Sequence, residues 1–243
     1  MKAIIFAAGL GSRLKPWTDQ HPKALAPVNG KSLLERNVLY LQQFGIRELI
    51  VNVHHFADQI VQAITDNHGW GSTITISDET DQVLETGGGL QKAGWYFKEE
   101  TDFVVMNVDI LTNLNLGDMI AAHQRSACLA TLAVTERSTS RYFLFNPKGE
   151  LCGWRNVQTG EEKPAQLASH PDYAALQQKA FSGIHVINSS IFSMMQQQGK
   201  FSMVEVYLDL MQNNSIQCFD HSQSKFIDVG KPESVAKAEA LFI

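Results

Sequence analysis

Cysteine is scarce: Cys128, Cys152 and Cys218 are the only thiols in 243 residues. An odd, widely spaced set argues against a disulfide framework or a zinc site, and predicts reduced packing residues of a cytoplasmic protein. Basic runs are missing too, and 20 Lys plus Arg against 25 Asp plus Glu leave a net charge of −5. That balance argues against nucleic acid as a partner, so any polyphosphate ligand must be gripped by a local basic site. The longest apolar run near the start, Ala3 to Ala8, is too short for a leader and ends at a glycine. Nothing approaches the ~20 apolar residues of a membrane span, so no membrane partner is expected. Repeats, low-complexity tracts and Pro/Gly/Ser linkers are also lacking, which predicts one domain over residues 1–243. Oligomeric state is unreadable from the sequence.

The chain does show alternation. Strand runs at Lys2–Ala8, Leu49–Val53, Thr73–Ser77, Phe103–Met106 and Leu129–Val134 are separated by helical stripes. Ser32–Phe44 carries Leu33, Leu34, Val38, Leu41 and Phe44 on one face, and Ala57–Asn67 carries Ile60, Val61 and Ile64. Leu90–Phe97 and Asp118–Arg125 read as further helices. This order predicts an α/β fold, a three-layer αβα sandwich about a mostly parallel mixed sheet, with its ligand crevice at the carboxyl ends of the strands. Beyond Tyr142 a hairpin turns at Asn146-Pro147-Lys148-Gly149, and Gln158–Gln178 is a polar excursion. Strands at Phe181–Ile187, Ser215–Phe219 and Lys225–Ile227 follow, with helices at Ser190–Met195, at Met203–Met211 and from Pro232.

The most informative stretch is Ala8-Gly9-Leu10-Gly11-Ser12-Arg13, directly after the first strand. Two glycines let backbone N–H groups turn toward an anion, and Arg13 adds a permanently charged fork suited to phosphate. Pro22-Lys23 brings a second cation. Gly11 is followed by Ser-Arg, which excludes a Walker-type phosphate loop; Leu14 occupies the third small position of a dinucleotide fingerprint, which counts against a nicotinamide-dependent oxidoreductase. Two aspartates end strands: Asp109 after Phe103–Met106 and Asp228 after Lys225–Ile227. Either alone is an ordinary turn carboxylate, but two hard carboxylates in one crevice suit Mg²⁺. His54-His55 lacks acidic or thiol partners at ligand spacing and reads as a polar pair.

Residues 3–36 resemble the signature of the sugar-1-phosphate nucleotidyltransferases, or nucleotide-sugar pyrophosphorylases. The likeness extends through Glu85-Thr86-Gly87-Gly88-Gly89, Asn107-Val108-Asp109, Phe181-Ser182-Gly183-Ile184 and Asp228-Val229-Gly230. Within the family the short chain is similar to N-acetylmuramate-1-phosphate uridylyltransferases and mannose-1-phosphate guanylyltransferases. The resemblance implies a Rossmann-like, glycosyltransferase-A-like fold, with residues 1–135 as the nucleotide half and 136–243 as the sugar-phosphate half. It also implies transfer of a nucleotidyl group from a nucleoside triphosphate to a sugar 1-phosphate, in service of bacterial cell-envelope polysaccharide. By the same likeness Ala8, Gly9, Gly11, Arg13 and Lys23 hold the triphosphate, and Thr86, Gly87 and Gly88 hold the base. Asp109 and Asp228 would bind Mg²⁺, with Mn²⁺ as substitute, and Glu162, Lys163 and Gly183 would meet the sugar phosphate. Val108 departs from the family, where glycine often stands before the aspartate. No hexapeptide-repeat helix follows, so acetyltransferase activity is not expected. A non-catalytic nucleotide-sugar-binding subunit is the rival, and it has no need of both aspartates together with Arg13 and Lys23.

Overall fold

The computed structural model describes residues 1–242. The first half runs β1 (Ala3–Phe6), three 3-10 turns, β2 (Pro27–Val28), β3 (Lys31–Ser32), α1 (Leu33–Gln43), β4 (Glu48–Val53), α2 (Ala57–Asp66) and β5 (Thr73–Asp78). Then come α3 (Glu85–Ala93), β6 (Asp102–Asn107), β7 (Ile110–Thr112), α4 (Leu116–Ser126) and β8 (Ala130–Thr135). The second half supplies β9 (Arg141–Phe145), β10 (Leu151–Asn156), β11 (Glu162–Lys163), β12 (Gln177–Asn188), α5 (Ile191–Met194) and α6 (Met203–Leu210). It closes with β13 (Ile216–Asp220), β14 (Phe226–Asp228) and α7 (Pro232–Leu241).

A ten-stranded sheet carries the order β11-β10-β9-β12-β6-β1-β4-β5, with β8 and β13 joined beside β12. Strands β6, β1, β4 and β5 are mutually parallel, and β12 runs antiparallel to β6. The chain leaves β1 toward β4 and β5, then returns to its other side at β6. That reversal opens a crevice beyond the carboxyl end of β1. Consecutive residues of β1 serve opposite layers: Ile5 joins Leu34, Leu41 and Ile60, while Ile4 joins Leu90, Phe97 and Val206. Both faces are covered, which is why β1 reads as an unbroken apolar run and not an alternating one. Side-chain caps fix helix starts, as at α1, where Ser32 Oγ accepts from Glu35 N–H at 3.0 Å.

Three differences from the sequence reading matter for the site. Helix α3 starts at Glu85, so Thr86 to Gly89 lie inside a helix and not in a loop before Leu90. Glycine is a poor helix former, and periodicity misses such a turn; here it is held by close contact with the segment before α6. Strand β12 starts at Gln177, because backbone pairing with β9 holds polar residues that no apolar pattern marks. The short β7 pairs antiparallel with β14, setting Asp228 opposite Ile110. No helix among the described residues is long and apolar enough to cross a membrane.

Candidate active site

Beyond β1, the residues from Ala7 to Arg13 wrap a cleft of about 400 Å³. Gly11 adopts φ +64°, and a Cβ there would lie 2.8 Å from Thr18 Cγ2 and 3.0 Å from Lys23 Cβ. Only glycine fits this turn. Its carbonyl accepts from Leu14 N–H at 2.8 Å and from the Thr18 hydroxyl at 2.9 Å. Gly9 has nothing within 4 Å of its would-be Cβ, so the backbone there stays open to a ligand. Of the residues singled out in the sequence, Ala8, Gly9, Gly11, Arg13, Lys23, Thr86 and Asp109 line the cleft.

Asp109 sits in the turn between β6 and β7, not on the strand itself. Its backbone is pinned: Val108 N–H donates to Phe6 O at 3.1 Å, Asn37 Nδ2 to Val108 O at 2.7 Å, and Val229 N–H to Asp109 O at 2.8 Å. The last of these links ties the two aspartate segments together. Val108, the departure from the family pattern, turns its side chain into the core. Lys23 Nζ donates to Asp109 Oδ2 in a close ion pair. Beside it, a Cβ on Gly230 would lie 2.7 Å from Asp228 Oδ1 and 3.0 Å from Arg13 Nη2. Gly230 is therefore small so that Arg13 and Asp228 can approach each other. Asp228 Oδ1 is buried without a hydrogen-bond partner. Burial and the Asp109 carboxylate push Asp228 above the usual carboxylate range, against the pull of Lys23, Arg13 and Arg137. Four charged side chains from distant positions thus converge, with one carboxylate oxygen still lacking a partner.

Gly87 and Gly88 do not reach the cleft. A Cβ on Gly87 would strike Phe201 Cδ2 at 2.4 Å, and one on Gly88 would strike the Gly199 carbonyl at 2.2 Å. Their N–H groups donate to Phe201 O at 2.9 and 3.2 Å, and Met203 N–H donates to Thr86 Oγ1 at 3.0 Å. The glycines let α3 dock against the segment leading into α6, while Glu85 and Thr86 face the cleft. Gly183, at φ +73°, sits where β12 changes partners, and the space of its absent Cβ holds the Asn107 amide at 2.7 Å. Glu162 is occupied by Arg155 at 2.6 Å and by the Tyr173 hydroxyl. Lys163 pairs with Glu161 at 3.4 Å and lies over the Trp154 ring. Both lie on β11 at the outer edge of the sheet and do not line this cleft. His54 makes an ordinary polar contact, Nδ1 to Glu79 O at 2.7 Å.

Several residues here escape sequence reasoning. Asn52, at the end of β4, accepts from Ala7 N–H at 2.7 Å and Ala8 N–H at 3.4 Å, and donates to Glu79 Oε1 at 2.8 Å. This chain holds the root of the glycine loop in place. Burial raises Glu79 above its ordinary range, opposed by its bonds from Asn52 and Leu84. Arg137, just past β8, donates from Nη2 to Phe181 O at 2.8 Å and lies over the Phe226 ring, with its Nε buried and unpartnered. Nothing in the sequence marks a lone polar residue at a strand end as a scaffold for a loop 45 residues away.

A glycine loop flanked by two cations, with a carboxylate pair at the switch point of an α/β sheet, is the frame of a nucleotide-handling transferase. The chain belongs to the nucleotidyl transferase family, whose model matches residues 2–242. An N-acetylmuramate alpha-1-phosphate uridylyltransferase of Caulobacter vibrioides is 34% identical over 190 residues, covering 70% of this chain and 78% of that enzyme. Its namesake from Neisseria meningitidis serogroup B is 28% identical over 99% of this chain and 98% of its own. HddC from Yersinia pseudotuberculosis, solved in complex with GMP-PN, shares the fold at a TM-score of 0.78 and 22% identity, over 100% of this chain and 99% of that one.

Proposed function

We propose that the chain transfers a nucleotidyl group from a nucleoside triphosphate to a sugar 1-phosphate, giving a nucleotide-sugar and pyrophosphate. The observation that carries this is the meeting of Arg13, Lys23, Asp109 and Asp228 at the mouth of the glycine loop. The sugar-phosphate oxygen attacks the α-phosphorus directly and the bond to pyrophosphate breaks, so no protein nucleophile is required. Catalysis then rests on alignment and charge neutralisation. The backbone of Ala8, Gly9 and Gly11 cradles the triphosphate, and Arg13 and Lys23 offset its charge. Glu85 and Thr86 wall the base, with Gly87 and Gly88 keeping that wall in place. On the sugar side Gly183 acts through Asn107, while Glu162 and Lys163 take part only if β11 moves inward.

The donor set fits a hard divalent cation: two carboxylates, one with an oxygen that lacks a partner. Asp109 and Asp228 would hold Mg²⁺, or Mn²⁺ in its place. Such an ion supplies charge neutralisation and orientation of phosphate oxygens. Three free cysteines accord with a cytoplasmic setting. The test is pyrophosphate release with each of four nucleoside triphosphates against a panel of sugar 1-phosphates. UTP with N-acetylmuramate 1-phosphate comes first, because relatives carry that name. One pair should stand well above the rest; if every pair matches the Asp109→Asn background, the assignment is wrong.

A further inference from the structure

At the amino-terminal ends of β6 and β8, opposite the nucleotide cleft, three side chains meet that the transfer reaction does not use. Asp102 is the first residue of β6, His123 lies in the last turn of α4, and Cys128 lies just before β8. The imidazole joins them, with Nδ1 at 3.4 Å from Cys128 Sγ and Nε2 at 3.4 Å from Asp102 Oδ1. Asn188 Nδ2 donates to the same Asp102 oxygen at 3.0 Å and fixes the carboxylate. The Ser126 hydroxyl stands 3.1 Å from the sulfur and 2.9 Å from His123 O, and the thiol itself reaches Ala130 O at 3.2 Å. Thr131 Oγ1 stands 3.2 Å from the sulfur and 2.9 Å from His123 Nδ1. Ala127 adopts φ +47°, a left-handed conformation that alanine rarely enters, and so sets the thiol into this cage. All three groups lie at the floor of a cleft of about 520 Å³, with Cys128 3% and His123 2% exposed, and its walls carry amides and hydroxyls such as Asn188, Asn213, Asn214 and Ser215.

We propose that Cys128, His123 and Asp102 form a second reactive centre, a nucleophilic thiol that exchanges with small, polar, peptide-like disulfides entering this cleft. Proton transfer from Cys128 to His123 gives a thiolate and an imidazolium, the latter held by Asp102. The thiolate attacks one sulfur of the disulfide R–S–S–R, the S–S bond breaks, and a Cys128–S–S–R bond forms. The departing R–S⁻ takes the proton from His123. Cys128 is thereby oxidised to a mixed disulfide and one sulfur of the incoming molecule is reduced to a thiol. The amide and hydroxyl walls match the hydrogen-bonding groups of a peptide-like R.

Electrostatics agree with this geometry. Burial alone would raise the thiol, yet hydrogen bonds from His123, Ser126 and Thr131 and the imidazolium charge bring Cys128 below its ordinary value. Burial pulls His123 down, but Cys128 and Asp102 hold it above its own. The charged groups acting on this pair are therefore one another and Asp102. Cys152 and Cys218 are raised instead, chiefly by burial, with Glu150 or Asp220 nearby.

Oxidised glutathione is a suitable probe, used on the folded full chain, with each cysteine followed by peptide mass spectrometry. Cys128 should be modified about tenfold faster than Cys152 or Cys218, because thiolate fraction sets the rate. Its rate should rise with disulfide concentration and fall off at a pH below the ordinary thiol range. His123→Gln and Asp102→Asn should slow Cys128 toward the other two, and Cys128→Ser should abolish this adduct while leaving nucleotidyl transfer unchanged. If a variant does not fold, the unsubstituted chain decides through its pH profile. A limb at the ordinary thiol value, a rate independent of disulfide concentration, or no preference for Cys128 overturns the proposal.

Discussion

Lys23 reaches the carboxylate of Asp109, 86 residues further along the chain, and closes the mouth of the cleft with an ion pair. Both side chains are largely covered, at 11% and 19% exposure, so removing either leaves a poorly solvated charge. Lys23 balances Asp109 in the free protein, and in the proposed reaction it would also face phosphate. Lys23→Ala should lower turnover by roughly 10²–10³, the usual cost of one preorganised charge donor. Arg13→Ala should do the same. Lys23→Arg should not restore activity, because the Lys23 stem is wedged against Gly11 and a planar fork differs in shape from an ammonium. Steady-state kinetics beside a melting curve would check this; near-normal turnover removes Lys23 from the reaction.

A shared cation at Asp109 and Asp228 makes its own demands. Activity should vanish under chelation and return with Mg²⁺ or Mn²⁺. Asp109→Asn and Asp228→Asn should each remove most turnover, and the double variant should be little worse, since residues acting as one unit are not additive. Asp228→Asn should also raise the melting temperature of the chelated protein, because it removes a buried carboxylate whose Oδ1 has no partner. Activity surviving thorough chelation, or two losses that simply multiply, would end the shared-metal model.

Glycines of the two motifs should separate folding from binding. Gly88→Ala places a Cβ against the Gly199 carbonyl at 2.2 Å, which backbone cannot easily relieve. It should destabilise the fold by about 1–3 kcal/mol, the range for overpacking, and reduce activity only through that loss. Gly9→Ala meets nothing within 4 Å and should melt normally. Because Gly9 lines the cleft, the same change should raise the Michaelis constant for nucleotide. Denaturant curves and nucleotide titrations on the two variants distinguish the cases. The opposite pattern would return Gly88 to the base-reading surface.

Legibility in the sequence follows from how local each signal is. The strands β1, β4 and β6 and the helices α1 and α2 declare themselves because burial on one or two faces imposes a periodicity. Gly11, Arg13 and Lys23 lie within one short stretch, so their meeting at one cleft is readable. Asn52 and Glu79 are not, because their work depends on which strand ends lie side by side, and that is fixed by the pairing of β1 with β4 and of β4 with β5. Thr86 to Gly89 misled for a related reason. Gly87 and Gly88 pack against Phe201 and Gly199, more than a hundred residues away, and Gly89 against Glu79 and Asn52, while Thr86 alone of the four lines the cleft. Glu162 and Lys163 match a motif, but pairing along β10 and β11 spends their charges on Arg155 and Glu161.

Two buried histidines set the acid limb of stability. Burial pulls His185 from 6.5 to about 3, where it meets the Tyr207 hydroxyl inside the core. Burial, with the Arg137 charge, brings His221 from 6.5 to about 4, against the opposing pull of Asp220. In the unfolded chain both rings take up a proton near 6.5, while in the folded chain they stay neutral until far lower pH. The stability they protect is complete above about pH 6.5 and drains as pH falls, at about 1.4 kcal/mol per pH unit for each ring. His123 works in the opposite sense: its raised value contributes stability below 6.5 that is lost as pH rises through that value. Asp220, held below its ordinary 3.8 by Lys179 and Ser222 against the effect of burial, enters only at still lower pH. In the interval from about pH 6 to about pH 4.5 the loss from His185 and His221 is opposed by Glu79 and Asp228, whose raised values let the folded chain take up protons ahead of the unfolded one. Denaturant unfolding across that interval should show stability falling with pH, and His221→Gln should reduce the slope by up to about one proton. An unchanged slope in His221→Gln would show that His221 does not couple protonation to folding.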